Sequence, residues 1–196
     1  MSAAAPLAWV RRRLTENQSA SGIVGAMRVI GPRPLPAEVG LPPCDERLVE
    51  LYRYWLAIHP ARGLIPGRQH FDPVDVPRLL PWLWLIEFER RPLRFKYRLV
   101  GTEHVQALGR DPTAEWLDDV HPRFATSSGY RQFVTAVGRG EVGFHRGASV
   151  YFKNRTMATV ERLILPLARN GYDVDMLLGA TMFVPTTPGG PRPSTR

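Results

Sequence analysis

Cysteine is nearly missing from this sequence: Cys44 is the only one in 196 residues. An intrachain disulfide and a cysteine-built metal site are therefore excluded. A reducing compartment is the matching environment. Long apolar runs are missing too. The strongest, Trp82-Leu83-Trp84-Leu85-Ile86, falls far short of the roughly 20 residues that a membrane-spanning helix needs. The basic cluster Arg11-Arg12-Arg13 leads into the mostly polar Leu14-Thr15-Glu16-Asn17-Gln18, so no secretory signal is expected. A cytoplasmic location follows by elimination. Familiar catalytic signatures are also absent. There is no G-x-G-x-x-G, no P-loop, no H-E-x-x-H and no G-x-S-x-G. The expectation is a protein that is not an enzyme.

What is present in excess is positive charge, with a formal net of +8. Its distribution matters more than its size. Residues 1–43 hold five arginines against Glu16 and Glu38, and residues 185–196 add Arg192 and Arg196. The middle of the chain has mixed signs. A solvated basic surface is the expected account, and specific nucleic-acid binding is not expected.

Composition divides the chain. Residues 1–43 are rich in Ala, Ser, Gly and Pro and read as a flexible basic arm. Residues 44–184 read as one domain, opening on a helix within 44–60. Residues 185–196, with four prolines, read as a disordered tail. In the first helix, about Asp45–Ile58, Leu48, Leu51, Tyr52 and Trp55 form one apolar stripe, and Pro60 stops it. Asp75 is the expected cap of a short helix over Pro77–Trp82.

The period then changes. Trp84–Glu89 and Arg94–Val100 read as strands; in the second, Phe95, Tyr97 and Leu99 alternate with Arg94, Lys96 and Arg98. Thr102 caps a short helix that Gly109 ends. A helical turn is expected around Glu115–Asp118. A longer helix carries Tyr130, Phe133, Val134 and Val137 and closes at Gly138 and Gly140. Strands over Gly143–Phe152, Thr159–Leu167 and Val174–Val184 follow, the first two joined through Lys153-Asn154-Arg155. Asn170-Gly171 is the hairpin signal between the last two, since both residues tolerate positive φ. The order β-β-α-α-α-β-β-β suits an α+β fold: one five-stranded antiparallel sheet, helices on one face, and an N-terminal amphipathic helix.

The detail goes further. Tyr54-Trp55, Arg62-Gly63, Pro66-Gly67-Arg68, Phe71-Asp72-Pro73 and Leu79-Leu80-Pro81 occur in order, followed by Tyr97-Arg98-Leu99-Val100-Gly101-Thr102, Gly109-Arg110-Asp111 and Leu165-Pro166-Leu167. Together they resemble the short stand-alone PAS-domain family of proteobacteria, over about residues 44–184. Ala114 departs from the pattern, standing where glycine is expected after Thr113. The resemblance implies a PAS-like sheet, signal sensing and a homodimer formed through the N-terminal helix, with Leu48, Leu51, Tyr52 and Trp55 at the interface. The other reading of that stripe is a cap on the chain's own core. With no output domain in the sequence, action through a separate signalling partner is expected.

Candidate ligand residues follow from the central connection. Tyr97, Trp116, Phe124, Tyr130 and Phe133 are the aromatic set that would line a cavity between sheet and helices, where a small organic ligand would sit. A filled core is the alternative. Arg98 and Glu161 are the polar candidates. Glu161 alternates with Leu163, Leu165 and Leu167, so on a buried face it needs a partner. A cross-strand arginine would make it structural, and a ligand would make it functional. Paired with a histidine, it is also the acid that a small enzyme on this scaffold would use. Some PAS domains bind haem through one histidine, and His104 or His121 would be the candidates. The expected reading is that both are surface or capping residues, without haem. No two of the five histidines are spaced for a metal site on one helix. A photochemical flavin needs a reactive cysteine beside the ring, and Cys44 lies ahead of the first helix.

Overall fold

The computed structural model describes residues 41–148 and 159–184. Helix α1, Glu46–Ala57, begins at Asp45, whose carboxylate accepts the Arg47 N–H at 2.9 Å. This satisfies one of the donors that a helix start leaves open. Three single 3-10 turns follow, at Arg68–His70, Pro73–Asp75 and Leu80–Trp82. The helix expected over Pro77–Trp82 does not form. Pro81 has no N–H to give the Pro77 carbonyl, so the i to i−4 ladder fails there. The cap also moves. Asp72 accepts the Val74 N–H at 2.9 Å, while Asp75 accepts the Tyr54 hydroxyl at 3.0 Å.

Strands β1, Leu83–Arg90, and β2, Leu93–Val100, pair antiparallel. Leu85 faces Leu99 and Ile86 faces Tyr97, which leaves Arg98 as the extra residue of a bulge. Helix α2, Thr102–Leu108, is preceded by Gly101, and Thr102 is its first residue rather than its cap. A Cβ on Gly101 would come within 2.3 Å of the Leu80 and Pro81 carbonyl oxygens, so the backbone packing there admits only glycine. Gly109 ends α2 in the left-handed region. The expected turn at Glu115–Asp118 is α3, Leu117–Val120, two residues later. In α4, Ser128–Arg139, the Ser127 hydroxyl accepts the Tyr130 N–H.

Strand β3 spans Gly143–Ala148; the rest of the expected strand and its Lys153-Asn154-Arg155 connection lie outside the described residues. Strands β4, Thr159–Leu167, and β5, Met176–Val184, complete an all-antiparallel sheet in the order β2-β1-β5-β4-β3. Their connection is longer than a two-residue hairpin. Only Gly171 takes positive φ; Asn170 instead accepts the N–H groups of Tyr172 and Asp173 through its side chain. Pro166 is tolerated in β4 because β3 reaches only to Ile164. The Pro166 carbonyl accepts the Trp55 indole N–H at 3.0 Å instead.

The five-stranded sheet with its central helices on one face has the α+β form expected. The N-terminal helix lies across the other face. Leu83 and Leu85 of β1 pack with α1, while Trp84 and Ile86 pack with α3 and α4. Leu48 and Leu51 are 0 % exposed, and Tyr52 and Trp55 are also buried against Leu163, Leu165 and Leu167. The stripe read as a dimer interface is thus covered by its own sheet. These four side chains have no surface to offer a second chain.

Ala114 adopts φ 69°, the left-handed region, where a Cβ costs about 1–2 kcal/mol. The missing glycine therefore has a physical consequence. Ala114→Gly is expected to stabilise the protein by about 1 kcal/mol after the greater freedom of glycine in the unfolded chain is counted. A thermal melt would show a rise of roughly 2–8 °C; an unchanged or lower midpoint would contradict the left-handed turn.

Candidate functional site

Between the sheet and α2–α4 lies a cavity of about 30 Å³, lined by Trp84, Ile86, Tyr97, His104, Leu117, His121, Phe124, Phe133, Val160, Arg162 and Thr181. That space takes a few atoms, not a haem or flavin ring system. The wall is mostly aromatic and aliphatic, but its polar groups are gathered rather than scattered. The Tyr97 hydroxyl lies 3.1 Å from His121 Nε2 and 3.5 Å from His104 Nε2. Both contacts are satisfied when His104 Nε2–H donates to the phenol oxygen and the phenol donates to His121 Nε2.

Local backbone geometry brings these groups together. Ala114 N–H donates to the Tyr97 carbonyl at 2.8 Å, and Tyr97 N–H donates to the Glu115 carbonyl at 2.9 Å. The segment before α3 thereby seals the open edge of β2, and His121, just past α3, is placed over Tyr97. His104 comes from α2. On the sheet, Thr181 and Arg162 face each other across β5 and β4. The Trp84 indole N–H donates to Thr181 Oγ1 at 3.0 Å, and its ring stacks on Phe133. Trp84 lies this flat because its cross-strand neighbour is Gly179; a Cβ there would sit 2.2 Å from the indole. Arg162 Nη2 donates to Gln132 Oε1 at 2.9 Å, and the guanidinium lies over the Phe133 ring.

Burial pushes the His104 pKa down to about 3, helped by His121 and Arg162. His121 falls to about 4 through burial, with Arg110 and Arg162 adding to it. His59 and His145 are pushed the same way by burial. Both cavity imidazoles are neutral at pH 7. The reading of His104 and His121 as surface or capping residues is corrected: both are buried. Sequence spacing could not pair them, because they come from different helical segments and meet only through Tyr97.

Of the other candidates, Tyr97, Phe124 and Phe133 line the cavity. Tyr130 stands one layer back, edge-on to Phe95 and Phe124. Trp116 lies outside, beneath Arg94 and Lys96 at the edge of β2. Arg98 is exposed, on the outer face beside the bulge. Glu161 faces the opposite side of the sheet. It is 4 % exposed, pairs with Arg146 across β3, and accepts the Asp45 N–H at 2.7 Å. It is the structural partner of an arginine, remote from both cavity histidines. Cys44 is close enough to Glu161 for that carboxylate, after burial, to push its thiol pKa up. The residues missed were Trp84, Ile86, Leu117, Val160, Arg162 and Thr181. Arg162 carried a signal: an arginine inside the apolar run of β4 has no solvent to reach.

The PAS-domain family model matches residues 45–182. The chain belongs to the PAS-domain family. No curated protein matches it. PAS domains in general are sensory or ligand-binding modules and often mediate interactions. In this PAS domain, no helix among the described residues is long and apolar enough to cross a membrane. No group of three His, Cys, Asp or Glu among those residues is placed to hold a metal ion.

Two measurements test the site's physics. The unfolded chain binds protons at His104 and His121 near pH 6.5, whereas the folded PAS domain does not until about pH 3–4. Stability is therefore full above pH 6.5 and falls as pH drops toward 4, with a slope approaching about 1.4 kcal/mol per pH unit for each histidine. Urea midpoints from pH 7.5 to 4.5 should show this, and His104→Gln should flatten the slope by about one proton. An unchanged slope would mean that His104 titrates normally. On the other face, Glu161→Ala should cost about 1–3 kcal/mol by stranding the Asp45 N–H. Glu161→Gln keeps an acceptor and should cost less; equal losses would assign the stability to the Arg146 pair instead.

Proposed function

We propose that the protein is a sensory PAS module that holds a small molecule between its sheet and α2–α4 and signals through a separate partner protein. The observation that carries this reading is the gathering of Tyr97, His104, His121, Arg162 and Thr181 in one buried, otherwise apolar cavity. A core built only for stability gains little from buried polar groups, because desolvation cancels most of their attraction. A ligand site needs them for orientation and selectivity.

Catalysis is not part of the proposal. Glu161 lies across the sheet from the histidines, and no carboxylate stands among the described residues that line the cavity to form an acid–base pair with them. Any self-association would use surfaces other than the covered stripe of α1. The small size of the cavity, about 30 Å³, supports a second reading, in which the domain is a ligand-free structural adaptor with a nearly solid core.

Native mass spectrometry of the freshly purified full chain, beside its denatured mass and absorption spectrum, separates the two. A fixed excess over a whole number of chains is expected from a retained ligand. Bare chain masses that persist after incubation with cell extract metabolites would favour the adaptor.

A further inference from the structure

We propose that a second cleft, at the end of the sheet away from the cavity, binds a free α-amino acid as its zwitterion, with the carboxylate on Arg90 and Arg169 and the ammonium on Asp173 and Asp175. The cleft measures about 480 Å³, within the range of small-molecule sites. It opens where the last residues of β1 meet the connection from β4 to β5, and it shares no lining residue with the cavity. The proposal does not rest on the reading of that cavity as a ligand site.

The charges in the cleft are unusual for this surface. Four charged side chains line it, two of each sign, and among the described residues no ion pair joins any of them. Elsewhere, opposite charges close together do pair: Arg47 with Asp45 at 2.7 Å, Arg94 with Asp118 at 3.0 Å, and Arg110 with Glu115. In the cleft each charge is held by a neutral group or left open. Asp173 accepts from Asn170 Nδ2 at 3.0 Å, and Asp175 accepts the Arg169 backbone N–H at 3.3 Å. Arg90 Nη2 donates to the Val174 carbonyl at 2.7 Å, and its guanidinium lies over the Phe88 ring. The Arg169 guanidinium makes no hydrogen bond or ion pair among the described residues. One contact leaves most of a guanidinium's donors and most of a carboxylate's acceptor sites for a ligand. The wall is also set in advance. Gly171 N–H donates to the Ala168 carbonyl, the Gly171 carbonyl accepts the Ile65 N–H, and Asp175 N–H donates to the Leu167 carbonyl, each at 2.9 Å. Such ordering lowers the cost of binding.

The four charges sum to zero, so a ligand with one charge meets partners at one end and leaves the other end unmatched. A zwitterion matches both, and the planar guanidinium fork suits its carboxylate. All four side chains are exposed, so each contact alone is weak and recognition depends on both ends together. Phe88 and Val174 suit an apolar side chain on the amino acid.

The test uses L-phenylalanine, N-acetyl-L-phenylalanine, which lacks the ammonium, and L-phenylalaninamide, which lacks the carboxylate. Each is titrated into the ¹⁵N-labelled full chain at constant ionic strength near pH 6.5, below the roughly 7.7–8.0 at which α-amino groups lose their charge. Phenylalanine should shift the amide resonances of Gly171, Val174 and Asp175 saturably and bind at least about ten-fold more tightly than either derivative. Arg169→Gln should cut its preference over the amide by about two- to five-fold. The thermal midpoint should stay unchanged, since that guanidinium bonds to nothing in the described fold. Asp173→Asn, which still accepts from Asn170, should cut the preference over the acetyl derivative by a similar factor. A derivative that binds as tightly as phenylalanine, preferences that neither variant changes, or no saturable shift from any probe would each overturn the assignment. Shifts confined to the Trp84 indole N–H and its neighbours would place the amino acid in the cavity and overturn the cleft, while leaving the cavity a ligand site.

Discussion

Strand β4 is covered on both faces, and it carries two charges that are neighbours in the chain. Glu161 points toward α1 and Arg162 toward the cavity. Neither has ready access to water, so each needs partners supplied by the fold. Glu161 takes Arg146 and the backbone at the start of α1. Arg162 takes Gln132 on α4 and lies on Phe133. The first arrangement fastens the N-terminal helix to the sheet, and the second fastens α4 on the opposite side. One dipeptide thus ties both outer layers to the same strand. The hydrophobic layers provide most of the driving force; this pair of charges fixes where those layers sit.

The cavity is a consequence of a similar division of labour at β2. The alternation that sets Arg98 outward keeps Phe95 and Tyr97 inward. The left-handed turn at Ala114 lets Ala114 and Glu115 bond to both backbone groups of Tyr97. The same contact closes an open sheet edge and sets His121 against the phenol. Edge protection and site assembly therefore share the same few residues.

Much of the fold was readable from periodicity. The alternation of Phe95 and Tyr97 with charged residues marked a half-buried strand, and Leu48, Leu51, Tyr52 and Trp55 marked a helix with one apolar face. What periodicity lacks is the identity of the opposing surface. The stripe of α1 reads the same whether it meets a sheet or a second chain, and the answer lay in long-range packing against Leu163, Leu165 and Leu167. The candidate site was half legible. Tyr97 on β2 and His104, Phe124 and Phe133 in the central connection stand out as aromatic or titratable residues. Arg98 was misplaced because its charge suggested a ligand contact, although its alternation with Tyr97 already put it on the outer face; the bulge beside it instead leaves Leu99 exposed. Trp116 was misplaced because an aromatic ring packs as readily beneath exposed cations as in a core. Arg162 was legible only through its place inside the apolar run of β4, a weaker signal than that of Glu161 beside it.

The contact between Trp84 and Gly179 bears on how this sequence can change over time. With the indole in place, any side chain at position 179 collides with it and with the Leu163 carbonyl oxygen. Shrinking the indole first would leave an unfilled space, at a cost of about 3–5 kcal/mol for a tryptophan reduced to alanine. Each single step is thus disfavoured while the tryptophan–glycine combination is well packed. Lineages descending from this sequence are held to that combination, and one that leaves it must cross a poorly stable intermediate and rebuild the floor of the cavity as it does so.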